Sequence, residues 1–359
     1  MTAAAAPIRF DAAQLEDFAQ TLLQRAGLAP DRARDVAQIL VEGDLLGHDT
    51  HGLQLLPAYL ADIESGGMTA TGDPLVLADH GAVLAWDGRR LPGPWLTLRA
   101  IDEASRRARA FGTGIVNIRR SHHIAALAPY ARRVAEDGLV LLLLTSAPAA
   151  CTVAPFGGTS GVFSPSPIGV GIPTSSAPMM IDVSTSITTN GLTGRLAQEG
   201  RKLPAPWLID EHGTPTDDPA VLVAPRAGTI LPLGGVDAGH KGYGLSLLVE
   251  ALTAGLAGQG RSDPGARWGG TVFVQIIDPQ AFNGREAFEQ QMDWIAGQCE
   301  RNPPVRADAP VRLPGHRGLA LREQALRQGV ALSPGIVAGL AAWSDKLRVP
   351  MPGERGWRQ

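Results

Sequence analysis

The residues best suited to chemistry lie in one short stretch, Gly47-His48-Asp49-Thr50-His51-Gly52, with apolar helix-like sequence on both sides. His48 and His51 stand three apart and share a face if the stretch is helical. Thr50 reads as an N-cap whose hydroxyl accepts from free backbone N–H groups, and the two glycines let backbone or a ligand come close. A second pair, His122-His123, follows Arg119-Arg120-Ser121, so four of the eight histidines fall in two clusters. Any single histidine is often structural, bonding a carbonyl or capping a helix; two clusters at element ends point to function. Two chemistries could use them. One is a metal site with His48, Asp49, His51 and the distant His123 as ligands. The other is proton transfer to a substrate oxygen beside a bound cofactor, which suits a side chain that titrates near neutral pH. No His-Glu-x-x-His or similar ligand spacing occurs, so no metal ligands are assigned.

Two further residues carry alternatives. Lys241, just before Gly242 and a helix expected over 245–257, suits an anion, because free N–H groups and an ammonium then point one way; it also reads as a solvated lysine. Asp182 in Asp-Val-Ser-Thr-Ser either caps a helix continuing through Asn190 or belongs to a site.

The elements that must position these groups follow from hydrophobic period. Residues 11–64 read as three helices: one capped by Asp11 and ended by Gly27, one opened by Asp31, and one that starts late or bends at Pro57. Strand-like runs follow at 75–78 and 82–86, then an amphipathic helix over 96–111. Residues 114–118, 125–137 and 139–145 read as strand, helix and strand, a βαβ unit with parallel strands covered on both faces. In such sheets ligands bind beyond the carboxyl ends of the strands, here at Arg119–His123 and at Thr145-Ser146. Residues 153–219 are rich in Gly, Pro, Ser and Thr, as loops around a ligand are. A strand at 271–277, a helix at 284–300 and two short helices over 319–347 complete the chain. The expected organisation is a helical region at 1–74, an α/β core at 75–318 and C-terminal helices at 319–359 that return to the N-terminal region.

Bulk composition narrows the class. Hydrophobic residues at 44% and charged residues at 19% of 359 describe a globular chain. A net charge of −3 without a Lys/Arg block argues against nucleic acid as a partner. Two cysteines, Cys151 and Cys299, make no disulfide framework and suit a reducing cytoplasm. The first residues lack the basic and apolar regions of a signal peptide, and the apolar run at 139–144 is too short to span a bilayer. No Gly-x-Gly-x-x-Gly follows a strand and no Walker lysine loop is present.

In order, Gly-His-Asp-Thr-His-Gly, Ser121-His122-His123, Ala154-Pro155-Phe156-Gly157-Gly158, Ile181-Asp182-Val183-Ser184-Thr185-Ser186 and Lys241-Gly242-Tyr243-Gly244-Leu245 resemble the malate/L-lactate dehydrogenase family of the second type. That group includes sulfolactate, ureidoglycolate and diketogulonate oxidoreductases and piperideine-2-carboxylate reductase. The resemblance runs from about residue 10 to about residue 345. It implies an α/β/α fold with a mixed seven-stranded sheet that is not Rossmann, a helical N-terminal part, a homodimer, and NAD or NADP. Carried over, the Ser/Thr-His-Gly motif falls on Thr50, His51 and Gly52, and Ser-x-His on Ser121 and His123, which makes His51 and His123 the implied acid/base candidates. Nicotinamide cofactor contacts would fall on Ser146, on Ile181, Asp182 and Val183, on Lys241 and Gly242, and on Pro314, Gly315 and His316. The implied reaction is hydride transfer between nicotinamide and a 2-oxo or 2-hydroxy carbon, or an imine. His48 is then structural.

Three departures stand out. Leu55 occupies the position where the family places an arginine that grips a substrate carboxylate, a charged hydrogen bond worth ~1.5–3 kcal/mol. Arg119 or Arg120 is the candidate replacement, unless the substrate carries no carboxylate there. Ser166-Pro167 stands for Asn-Pro, and Pro314-Gly315-His316 for Pro-Gly-Glu. Loss of the arginine also motivates a drifted relative that binds a metabolite without turnover; a metal hydrolase survives only if the histidines hold metal.

Overall fold

The computed structural model describes residues 7–223, 228–263 and 267–354; residues 1–6, on which the leader reading rested, lie outside the described residues. In chain order the strands are β1 (Ile8–Phe10), β2 (Leu75–His80), β3 (Val83–Asp87), β4 (Thr113–Ser121), β5 (Val140–Ser146), β6 (Ile168–Ile172), β7 (Met179–Val183), β8 (Leu208–Ile209), β9 (Pro215–Thr216), β10 (Thr229–Ile230), β11 (Gly270–Ile277) and β12 (Val330–Leu332). The helices are α1 (Ala12–Arg25), α2 (Pro30–Leu45), α3 (Leu56–Glu64), α4 (Gly93–Phe111), α5 (Ala128–Glu136), α6 (Asn190–Gln198), α7 (Gly235–Glu250), α8 (Arg285–Glu300), α9 (His316–Gln328) and α10 (Pro334–Leu347).

Seven strands form a mixed sheet in the order β2-β3-β4-β11-β5-β6-β7. The expected βαβ unit needs correcting here. Strands β4 and β5 do run parallel to each other, but each pairs antiparallel with β11, which lies between them. The parallel neighbours are β3 and β4. One parallel pair in a mostly antiparallel sheet is not a doubly wound Rossmann sheet, which agrees with the missing glycine fingerprint. Helices α4 and α5 cover one face, burying Leu96, Ala100, Ile101, Tyr130 and Val134 against sheet residues such as Val116, Leu141 and Val274. The other face is closed by the end of α7 and the π-helical segment after it, where Val249 and Leu252 pack on Leu144 and Phe273. This is a three-layer α/β/α fold.

The N-terminal helices share the main core with α4, α5 and α10, and β1 pairs antiparallel with β12. Asp11 caps α1, accepting from the amides of Ala13 and Gln14. Helix α2 opens at Pro30, one residue before the expected Asp31, because proline is pre-set for the first helical position. Pro57 is likewise in the first turn of α3, so that helix starts late and does not bend. It is preceded by two 3-10 turns, Asp49–His51 and Leu53–Leu55. A small sheet, β10-β8-β9, and α6 enclose a satellite core of Val153, Phe163, Leu196, Leu208 and Ile230.

Candidate active site

The histidine stretch is held by backbone and a carboxylate, and Thr50 is not its cap. His48 occupies the cap position of the first 3-10 turn without a side-chain bond. Thr50 Oγ1 instead lies 2.9 Å from His51 Nδ1. Beneath the turn, Asp44 accepts from the Leu53 amide at 2.7 Å. A Cβ on Gly52 would stand 2.3 Å from the Asp44 carboxyl, so only glycine fits there. Burial pushes the Asp44 carboxyl up to about 8.

The two histidine clusters meet. The rings of His51 and His123 lie 5.9 Å apart at 23°, and the Trp268 ring stacks on His123 at 5.2 Å and 29°. His123 Nδ1 accepts from the Ala125 amide at 3.2 Å and lies 2.9 Å from the Tyr59 hydroxyl, which also donates to the His123 carbonyl. A backbone N–H can only donate, so Nδ1 is the acceptor and neutral His123 carries its proton on Nε2. Burial holds His123 well below the usual histidine range, and the neighbouring His51 and His122 add to the effect. Burial lowers His51 too, while the charges of Asp182 and Asp49 oppose that and His48 reinforces it. His122 is fully buried, with Nε2 2.9 Å from Asp62 Oδ2; burial outweighs that partner and lowers it to about 4.

The other candidates divide. Ser121 donates to the His122 carbonyl at 2.8 Å. Arg119 and Arg120 are both clamped on the buried Asp87, with Nε–oxygen distances of 3.0 and 2.9 Å. Burial alone would raise the Asp87 carboxyl, yet bonds from Arg120, the Arg89 amide and Arg119 hold it below the carboxylate range. Neither guanidinium is free to replace the arginine missing at Leu55, which packs against the main core. The turn does carry another cation: Arg195 of α6 reaches Asp49 at 2.7 Å. Ser146 is buried, donating to Glu250 at 2.6 Å and accepting from Arg261 at 3.2 Å.

Asp182 lies in β7 and caps a helix other than the expected one. Its Oδ2 accepts from Leu127 and Ala128, both at 2.9 Å, at the start of α5, while Thr189 caps α6. Lys241 is exposed and sits in the second turn of α7, not before its N-terminus, because the helix begins at Gly235. Gly242 beside it is pressed on Leu233 and Thr185 backbone, where a Cβ would stand 2.3 Å from the Leu233 amide.

Behind the histidine turn opens a cleft of about 270 Å³, lined by Gly47, His48, Met180, Asp182, Gly315 and Arg317 among others. His48 Nδ1 is 3.9 Å from Asp182 there. Pro314 accepts from the Met180 amide at 3.0 Å, and a Cβ on Gly315 would meet Met180 at 2.8 Å. Ile181 and Val183 flank Asp182 in the same strand. Among the described residues no three His, Cys, Asp or Glu side chains converge as metal ligands, and no helix is long and apolar enough to cross a membrane.

Tyr59, Trp268, Arg195 and Arg317 escaped the sequence reading. Tyr59 fits the apolar period of α3, and its one signal is a hydroxyl on a buried face that needs a partner. Trp268, Arg195 and Arg317 belong to no motif.

Comparison with known proteins agrees with this architecture. The family model for malate/L-lactate dehydrogenase matches residues 10–341. An L-lactate dehydrogenase of Cupriavidus necator is 30% identical, over 93% of this chain and 97% of its own length. A Delta(1)-pyrroline-2-carboxylate/Delta(1)-piperideine-2-carboxylate reductase of Pseudomonas syringae pv. tomato is 31% identical, over 89% and 92%. The crystal structure of malate dehydrogenase from Entamoeba histolytica, 23% identical, superposes with a TM-score of 0.91 over 96% of this chain and 99% of the other, a likeness of fold. With two histidine motifs brought face to face on that fold, the chain belongs to the malate/L-lactate dehydrogenase family and is an oxidoreductase.

Proposed function

We propose that the protein is an NAD- or NADP-dependent dehydrogenase or reductase of a small 2-hydroxy or 2-oxo acid, or of a related carbonyl or imine, working as a cytoplasmic homodimer without nucleic-acid or membrane partners. One observation carries this reading: the half-buried rings of His51 and His123 stack on each other, and one has its tautomer set by a backbone amide. The residues fit a dinucleotide. The Lys241 side chain has no hydrogen bond or ion pair among the described residues and suits a phosphate. His316 Nε2 is buried without a partner, and the glycine-edged cleft lies directly behind the histidine turn.

A nicotinamide cofactor, when bound, would supply or accept the hydride. His123, neutral with its proton on Nε2, donates a hydrogen bond to the substrate oxygen or nitrogen and polarises it. His51 moves the proton: burial lowers its pKa, so it rests as the neutral base, and the Asp182 and Asp49 charges oppose that lowering and favour the protonated form it passes through. It gives a proton to the oxygen on reduction and takes one from the hydroxyl on oxidation. Trp268 and Tyr59 exclude water from the pair and hold the His123 ring. Arg195 is the cation beside the turn that can leave Asp49 for a substrate carboxylate.

The test is a fluorescence titration with NADH and NADPH, followed by absorbance assays with 2-oxo acids, cyclic imino acids and aldehydes. Binding of one reduced cofactor and its oxidation by one class is the expected result. If neither cofactor binds, the oxidoreductase chemistry is lost.

A further inference from the structure

We infer that the cleft behind His48 selects the phosphorylated cofactor, NADP, and that Arg317 is the residue that receives its 2′-phosphate. The inference rests on the cofactor reading above and goes beyond it in choosing between the two nucleotides. The histidine pair marks the nicotinamide end, so a pocket on the other side of the same turn is available to the rest of the dinucleotide. Its volume of about 270 Å³ lies just below the ~300 Å³ at which small-ligand pockets begin, so it suits part of a dinucleotide and not the whole.

Selection between the two cofactors turns on charge. A carboxylate that accepts from ribose hydroxyls favours NAD, whereas a guanidinium near the 2′ position accommodates the phosphate of NADP. Asp182 is the carboxylate that lines this cleft. Its Oδ2 is already committed to the Leu127 and Ala128 amides. The positive end of α5 offsets its charge, and the His48 ring stands 3.9 Å away. As a helix cap it divides Oδ2 between two amides, which leaves Oδ1 as its only oxygen without a hydrogen bond among the described residues. Where the resemblance leads one to expect a second carboxylate, this chain has His316. Its Nδ1 leans on Glu300 at 3.6 Å and its Nε2 is buried with no partner, an unused donor or acceptor beside the cleft.

Arg317 supplies the complementary charge. It is exposed, lines the cleft from the first turn of α9, and has no acidic partner among the described residues. Three other arginines near the candidate site are held by buried or half-buried carboxylates: Arg119 and Arg120 by Asp87, and Arg261 by Glu250. A fork of donors left free at the mouth of a nucleotide-sized cleft matches a phosphate monoester bidentately.

The experiment is a pair of fluorescence titrations, NADPH and NADH, on the wild-type protein, on Arg317→Ala and on His316→Glu, with 2′-AMP and 5′-AMP as competitors. The wild type should bind NADPH at least tenfold tighter than NADH, and 2′-AMP should displace it better than 5′-AMP. Arg317→Ala should lose most of that preference while NADH affinity stays within about twofold; His316→Glu should move it toward NADH. Equal or tighter binding of NADH by the wild type overturns the inference and leaves the oxidoreductase reading standing. So does an Arg317→Ala variant that weakens both cofactors alike. Failure of both cofactors to bind the wild type sinks the cofactor reading itself.

Discussion

The two ends of the site are built on opposite principles. Around His51 and His123 the walls are aromatic and the polar groups partly desolvated: Trp268 stacks on one ring, Tyr59 is fully buried, and burial lowers both imidazoles. Polar atoms there are fixed by backbone partners, as the Ala125 amide fixes Nδ1 of His123. The cleft behind His48 is edged by Gly47 and Gly315 and carries an uncommitted guanidinium. Low dielectric and fixed tautomers suit a step in which charge appears briefly, whereas a wet, charged rim suits recognition of a permanently charged group. The same turn of chain, 48–51, serves both: His48 faces the cleft and His51 the dry pocket.

The largest effect should come from the dry end. We expect His51→Ala to cut turnover by about 10²–10⁴ while reduced-cofactor binding stays near normal. His123 divides from it in kind. As a hydrogen-bond donor it should be partly replaced by His123→Gln, whose amide still donates, and not by His123→Ala, which should lose roughly 10²–10³. If Gln and Ala at 123 behave alike, the donor role is wrong. The pH profile gives an independent reading. Burial lowers His51 below the usual 6.5, so at neutral pH it rests unprotonated. Reduction should therefore slow as pH rises through neutrality, and oxidation should hold its rate down to mildly acidic pH. The reverse order would contradict His51 as the proton carrier.

A smaller change tests how the dry end grips its substrate. Leu55 lies in the second 3-10 turn, half-buried against the core, where a longer side chain can run its stem along apolar surface. Leu55→Arg should restore a charged hydrogen bond of about 1.5–3 kcal/mol, roughly 10- to 150-fold in KM for a plain 2-oxo acid. No gain on any monocarboxylate would place the carboxylate anchor elsewhere, with Arg195 next to be replaced.

What the chain reveals before folding follows the same division. The histidine clusters were legible because local motifs carry them, and the helices because apolar residues recur with a period near 3.6. Pairing was not: β4 and β5 read as neighbours, yet β11, more than 120 residues beyond β5, lies between them. No local pattern encodes a partner that far along the chain. Asp182 shows the same limit, since its sequence context suggests a cap for the helix that follows while its carboxylate caps α5, which precedes it. Tyr59 looked like core and is core, but its hydroxyl also sets His123. Arg119 was assigned from its charge at a strand end and Lys241 from its place at an expected helix N-terminus, and the fold ties one to Asp87 and leaves the other on the side of a helix.

The smallest effect concerns stability, and it separates His122 from its reacting neighbour. His122 is fully buried on Asp62 and lowered to about 4, against 6.5 for the free side chain. At pH 7 both folded and unfolded chains hold it neutral, so it adds no pH dependence. Below 6.5 the unfolded chain takes up a proton that the folded chain refuses, so stability falls with pH until the folded group itself titrates near 4. At pH 5 this amounts to about 2 kcal/mol for the one residue, from 1.36 kcal/mol per unit of pKa difference. His123 is displaced in the same direction and adds to the loss. His122→Gln keeps a donor for Asp62 without a titrating ring, so its melting temperature should fall less between pH 7 and pH 5 than the wild type's, while its pH–rate profile stays that of the wild type. If the profile moves with the substitution, His122 belongs to the proton path and the dry pocket works with three histidines.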